Sequence, residues 1–171
     1  MNWHDLFDLW QSRGLSAVVR GRTMSAVPSI IRGTRIVKNA VTEIPAAPPE
    51  EALAHFAAEF TFETDCWDVH EAMRSGAPGF VLVDVRSPAA FAKGHVPGAI
   101  NIPHAKIIGS RMAEYSADTL FVVYCAGPHC NGGARAAVRL AQLGRAVKLM
   151  AGGVAGWLDE GFALECVQEV A

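Results

Sequence analysis

Two cysteines five positions apart, Cys125 and Cys130, enclose Ala126-Gly127-Pro128-His129 and are followed by Asn131-Gly132-Gly133-Ala134-Arg135. A thiol does nucleophilic chemistry as its thiolate, which is favoured where backbone N–H groups converge at a helix N-terminus. The flanking sequence supplies that setting. Leu120-Phe-Val-Val-Tyr124 is an apolar, β-branched and aromatic run that reads as a buried strand. The Gly/Pro segment reads as a loop, and Ala134 to Leu143 has helical spacing stopped by Gly144. Gly127, Gly132 and Gly133 let backbone N–H groups turn inward around an anion. Cys125, at the strand end, is the first candidate nucleophile; Cys130, beside the helix start, is the second. Cys130 could also attack a persulfide or sulfenic acid on Cys125 and close a disulfide. His129 could stabilise a thiolate when protonated, or be a solvated loop residue.

Other chemistries fit less well. A cysteine phosphatase needs an arginine six positions after the nucleophile to grip the phosphate oxygens, and Asn131 stands there. A zinc site from Cys125, His129 and Cys130, supported by His95 or His104, lacks the second ligand pair of a structural site, so no metal is expected. A dithiol redox centre remains open. Cys66 and Cys166 read as partly buried small residues, and four unevenly spaced cysteines do not suggest a disulfide scaffold. A reducing, cytoplasmic compartment is therefore expected.

The elements that must position the loop alternate between strand and helix. The 171-residue chain is 51% hydrophobic, enough to bury a core without cross-links. Residues 1–47 carry six basic and three acidic side chains, a net +3, leaving −5 for residues 48–171. This acid-poor segment is expected to be a basic, poorly ordered extension, although its composition also resembles a transit peptide. Pro45-Ala-Ala-Pro48-Pro49 marks the boundary with a domain at 48–171. A helix follows over 50–59, with Leu53, Phe56, Ala57 and Phe60 facing inward, and Phe60–Thr64 alternates like a strand. Asp65 is an N-cap for a helix to Arg74, with Val69 and Met73 inward. Phe80–Val85 is apolar almost throughout, as in a parallel sheet covered on both faces. Ser87-Pro88 opens a short helix, Ala99–Ile102 is a short strand, and a helix lies near 107–115. Ala146–Met150 is the last strand, and Gly152-Gly153 turns into a helix to Glu160. This alternation defines an α/β fold in which ligands bind beyond the carboxyl ends of the strands. Cys125 falls at such an end. No basic stripe points to nucleic acid, and no apolar run approaches the roughly 20 residues of a membrane span.

Three ordered stretches then resemble the single-domain rhodanese-like sulfurtransferases. Asp84-Val85-Arg86 with Phe91-Ala-Lys-Gly94-His95-Val-Pro97-Gly98-Ala99-Ile-Asn101-Ile102-Pro103 is similar to their first signature, and Gly152-Gly153-Val-Ala-Gly-Trp157 to their second. Cys125 stands between them, where the family keeps its nucleophile. The resemblance covers Phe62 to Leu164 and implies a five-stranded, mostly parallel sheet with helices on both faces. It implies transfer of a sulfane sulfur through a Cys125 persulfide, from a small thiosulfate-like anion to a thiol or cyanide-like acceptor, with no cofactor. The loop Ala126, Gly127, Pro128, His129, Asn131, Gly132 and Gly133, with Arg135, would hold the anion. Asp84, Arg86, His95 and Trp157 would be structural supports. Two departures stand out. The family arginine five positions after the nucleophile is Cys130 here, and the usual acidic partner for Arg86 is replaced by Ala90. A non-catalytic binding or regulatory module of the same fold, and a Cys125/Cys130 dithiol redox enzyme, are the alternatives. Oligomeric state is not legible.

Overall fold

The computed structural model describes residues 39–167, so expectations for residues 1–38 lie outside the described part. Residues 39–46 form a small turn, in which Asn39 Oδ1 accepts from the N–H groups of Val41 and Thr42 at 2.9 and 3.1 Å. From Ala47 onward the elements are α1 (Pro49–Phe62), β1 (Glu63–Thr64), α2 (Cys66–Arg74), β2 (Phe80–Asp84), α3 (Pro88–Lys93) and β3 (Ile100–Asn101). A 3-10 turn (His104–Lys106), α4 (Gly109–Met112), β4 (Leu120–Tyr124), α5 (Gly132–Gln142), β5 (Val147–Met150) and α6 (Gly153–Asp159) complete the domain.

The five strands form one sheet in the order β1-β5-β4-β2-β3, and every pairing is parallel. β4 is central because its side chains suit neither face to water. Val122 and Tyr124 point into a core with Cys66, Val69, Leu82, Met150, Val154 and Trp157, beneath α2 and α6. Phe121, Val123 and Cys125 point the other way, into a core with Val83, Ile102, Met112, Ala136 and Leu140, beneath α4 and α5. Period-two alternation along one strand thus divides two apolar layers, and places Cys125 on the α5 side.

The caps read from sequence are present. Asp65 accepts from Asp68 N at 2.8 Å, and Ser87 accepts from Ala90 N at 3.3 Å with Pro88 in the first turn. Three expectations need correction. Phe60–Phe62 belongs to α1, not to a strand; only Glu63 and Thr64 pair with β5, and Lys148 Nζ binds the Phe60 carbonyl at 2.7 Å near the helix C-terminus. Nor does α1 bury the face expected of it: Leu53, Phe56 and Phe60 stay exposed, and only the small Ala52 and Ala58 are half-buried. The helix expected near 107–115 is shortened to the single turn of α4, Gly109–Met112, which follows the 3-10 turn.

Beyond β2, the Asp84 carboxylate is fully buried. Arg86 answers it with Nε at 3.0 Å and Nη2 at 2.5 Å, and the same Nη2 reaches the Gly94 carbonyl at 2.6 Å. The missing acid at position 90 is therefore no loss, because Asp84 supplies the charge two residues earlier. A buried carboxylate stripped of its only cation is costly. Arg86→Ala should lower stability by about 3 kcal/mol in urea unfolding at neutral pH; a loss below about 1 kcal/mol would show that water replaces the guanidinium at no real cost.

Candidate active site

The chain leaves β4 at Tyr124 and reaches Cys125 at the carboxyl end of the central strand. There the backbone is held from the opposite side by α6. Val154 N donates to the Cys125 carbonyl at 3.1 Å, and Ala155 N to the Ala126 carbonyl at 2.9 Å. These first-turn N–H groups would otherwise lack partners, so the loop caps the helix while the helix fixes the loop. The approach is close enough to forbid a side chain at Gly153: its φ is +58°, and a Cβ there would lie 3.0 Å from Gly127 N. Trp157, one turn on, is buried and donates Nε1–H to the Ala163 carbonyl at 2.9 Å, which anchors α6.

The Cys125 side chain is buried, and its sulfur is bonded to that of Cys130 in a disulfide spanning a Cα–Cα distance of 6.2 Å. Gly127, Pro128 and His129 form the turn between them, closed by Cys130 N donating to the Gly127 carbonyl at 2.9 Å. The expected thiolate at Cys125 is thus absent in this form, since neither sulfur is ionised while they are joined. The bond rests on the first turn of α5. A Cβ at Gly132 would come within 2.8 Å of Cys125 Sγ and 3.3 Å of Cys130 Sγ. The Asn131 side chain makes no capping bond, which leaves the early N–H groups of α5 without a side-chain cap beside the two sulfurs.

The loop glycines have a steric role in this geometry. Gly127, Gly132 and Gly133 do not adopt positive φ. They are needed for space: Gly127 against Ala155 Cβ at 3.0 Å, Gly132 against the sulfurs, Gly133 against Leu149 Cδ1 at 2.6 Å. Ala126, Pro128, His129, Asn131 and Arg135 are exposed around the disulfide.

The supporting residues stand apart from the sulfurs. His95 is buried, its Nδ1 3.0 Å from the Phe91 carbonyl, its ring stacked on Phe91 at 3.7 Å, and its backbone paired with Glu165. It closes the turn that Arg86 also holds through Gly94. Sequence reasoning missed Tyr124, whose hydroxyl accepts from Val96 N at 3.0 Å and feels the charge of the buried Asp84. Burial, then the Asp84 charge, push that phenol far above its ordinary range. The legible signal was a tyrosine inside an otherwise apolar buried strand, since a buried hydroxyl needs a partner. Cys66 is no rival nucleophile: burial, then the charges of Asp65 and Glu160, raise its thiol to about 11, and it donates to the Ala151 and Gly153 carbonyls. Among the described residues no group of three or more His, Cys, Asp or Glu side chains is arranged to hold a metal.

This arrangement is a rhodanese-like one, and the chain belongs to the Rhodanese-like domain family, whose profile matches residues 68–160. The BH2092 protein from Bacillus halodurans is 37% identical, with a TM-score of 0.67 over 70% of this chain and 88% of that one. The HTH-type transcriptional regulator Rv0324 of Mycobacterium tuberculosis is 41% identical over 93 residues, 54% of this chain and 40% of that protein. The chain therefore spans about two fifths of the length of this curated relative. A thiosulfate sulfurtransferase from Pseudomonas aeruginosa shares the fold, with a TM-score of 0.52 and 24% identity over 66% of this chain and 21% of that one. No helix among the described residues is long and apolar enough to cross a membrane.

The contact at Gly132 is open to a direct check. After mild oxidation and denaturation without reductant, the parent protein should show two alkylatable thiols, Cys66 and Cys166. Gly132→Ala should keep all four cysteines alkylatable under the same treatment. Disulfide closure in Gly132→Ala as complete as in the parent would contradict the contact.

Proposed function

We propose that this domain is a sulfurtransferase that carries a sulfane sulfur on Cys125. The observation supporting this is the position of the Cys125 sulfur. It lies at the end of the central strand, against the first turn of α5, on a backbone fixed by α6. Once the disulfide is reduced, that position favours the thiolate through nearby N–H groups and the positive end of the helix. No general base is then needed. The thiolate attacks the outer sulfur of a thiosulfate-like anion, forming a Cys125 S–S bond while the donor's S–S bond breaks and sulfite leaves with the electron pair. The exposed loop residues Ala126, Pro128, His129 and Asn131, with Arg135 beyond them, face the donor. A thiolate or cyanide then attacks the outer sulfur of the persulfide, and the electron pair returns to Cys125.

The Cys125–Cys130 disulfide favours a second exit from the same intermediate. The Cys130 thiolate attacks Cys125 Sγ, the S–S bond to the outer sulfur breaks, and hydrosulfide leaves. An external dithiol must then reduce the protein disulfide, which suits a reducing compartment such as the cytoplasm.

Reduced protein treated with thiosulfate and desalted should gain about 32 Da, one sulfur, by intact mass. Cys125→Ser should abolish the gain, whereas Cys130→Ser should hold the adduct longer than the parent does. A gain that survives Cys125→Ser and disappears in Cys130→Ser would transfer the nucleophile's role to Cys130. No gain with any sulfane donor would leave a binding module.

A further inference from the structure

The disulfide of the loop has an inner and an outer sulfur. Cys125 is 8% exposed and packs in the core with Val123, Ala136 and Leu140. Cys130 lies at the margin of that core, half-buried, between the exposed His129 and Asn131. The backbone keeps the two in these places. The Cys125 carbonyl is held by Val154 N at 3.1 Å, and Cys130 N donates to the Gly127 carbonyl at 2.9 Å. Arg135 N then donates to the Asn131 carbonyl at 3.0 Å, so the turn that carries Cys130 runs straight into α5.

Disulfide exchange makes a directional demand. The incoming thiolate bonds to one sulfur in line with the S–S bond, and the other sulfur leaves with the electron pair. A thiolate attacking Cys125 would have to line up from the side opposite Cys130 and displace part of the core. One attacking Cys130 meets the loop surface.

The leaving group points the same way. The more acidic thiol departs faster, and Cys125 is the sulfur nearer the first turn of α5. A Cβ on Gly132 would lie 2.8 Å from its Sγ and 3.3 Å from that of Cys130. Charge helps the approach. No acidic residue occurs between Asp118 and Asp159, whereas His129, Arg135 and Arg139 are exposed. The loop and α5 therefore carry no carboxylate to repel an incoming thiolate.

We propose that Cys130 is the exchange thiol of this domain, the sulfur on which an external dithiol forms its mixed disulfide. The proposal rests on the second exit described above, which leaves Cys125 and Cys130 joined once hydrosulfide has gone. The external thiolate bonds to Cys130 Sγ, the Cys125–Cys130 bond breaks, and Cys125 takes the electron pair as thiolate. The second thiolate of the dithiol then attacks its own sulfur in the mixed disulfide. The dithiol closes as a disulfide, Cys130 leaves as thiolate, and the two protons of the dithiol pass to solvent. Cys125 thus regains its reactive form in the first step and never bears the reductant. The two thiols divide the work: Cys125 meets the sulfur donor, and Cys130 meets the reductant.

The test uses the full chain, oxidised, with the exposed free thiol Cys166 blocked beforehand by iodoacetamide. 2-Mercaptoethanol is added below the protein concentration, so that a second exchange is rare. The reaction is quenched after short intervals with N-ethylmaleimide, which tags the freed cysteine. Peptide mapping should find mercaptoethanol on Cys130 and maleimide on Cys125, exceeding the reverse pattern by about tenfold at the earliest times. Mercaptoethanol mainly on Cys125, on both equally, or on neither would overturn the assignment. Thiosulfate loading of a reduced sample, read as a mass gain, tests the carrier role separately. Loading that fails while exchange runs through Cys130 would refute the carrier and leave the exchange thiol standing. Loading that succeeds while exchange runs through Cys125 would do the reverse.

Discussion

The site depends on the grip of α6 on two carbonyl groups. Val154 and Ala155 donate to Cys125 and Ala126, and Gly153 has no side chain to hold the helix away. Parallel pairing with β2 and β5 brings β4 to this point with Cys125 on the α5 side; the α6 contacts then stop the loop from swinging outward. Each partner satisfies groups the other would leave unpaired, so neither the loop nor the helix start is complete alone. The second glycine-rich stretch of the chain is therefore part of the site's backbone.

Polar burial on the other half of the sheet serves a similar end. Asp84, Arg86, Tyr124 and the Gly94–Val96 backbone form one connected set at the ends of β2 and β4. Asn101 extends it by donating to the Asp84 and Arg86 carbonyls at 2.9 and 3.0 Å. Such a set is costly if any member is missing and specific when complete, so it fixes the β2 end against β4 more tightly than apolar packing alone. His95 belongs to this framework, which separates it from the sulfur chemistry.

Much of this was legible in the sequence because local and global signals agree. Short apolar runs without polar alternation, bounded by turn signals, fit parallel strands covered on both faces, and Asp65 and Ser87-Pro88 announce their helices. The position of Cys125 followed from the same pattern. What was not legible depends on contacts across the fold. The joining of Cys125 to Cys130 needs a turn whose shape is set by Gly127 and α6, and spacing alone left the pairing open. The partner of Arg86 was sought at position 90, where the family pattern puts it, and lay instead at position 84. Helical periodicity gave α1 an inward face, yet the side chains of Leu53, Phe56 and Phe60 remain exposed. Spacing reports amphipathicity but not whether a partner covers it.

Cys130 in place of an arginine changes what the loop can do. An arginine would add a permanent charge, whereas a second thiol can close over the first and withdraw it from reaction. Both forms share the same backbone frame, so the chemistry depends on how readily the reduced Cys125 ionises on the first turn of α5. The direct measurement is the pH dependence of iodoacetamide alkylation at Cys125 in reduced Cys130→Ser protein. The account predicts an apparent pKa well below the roughly 8.5 of a free cysteine. Titration at or above that value would contradict it.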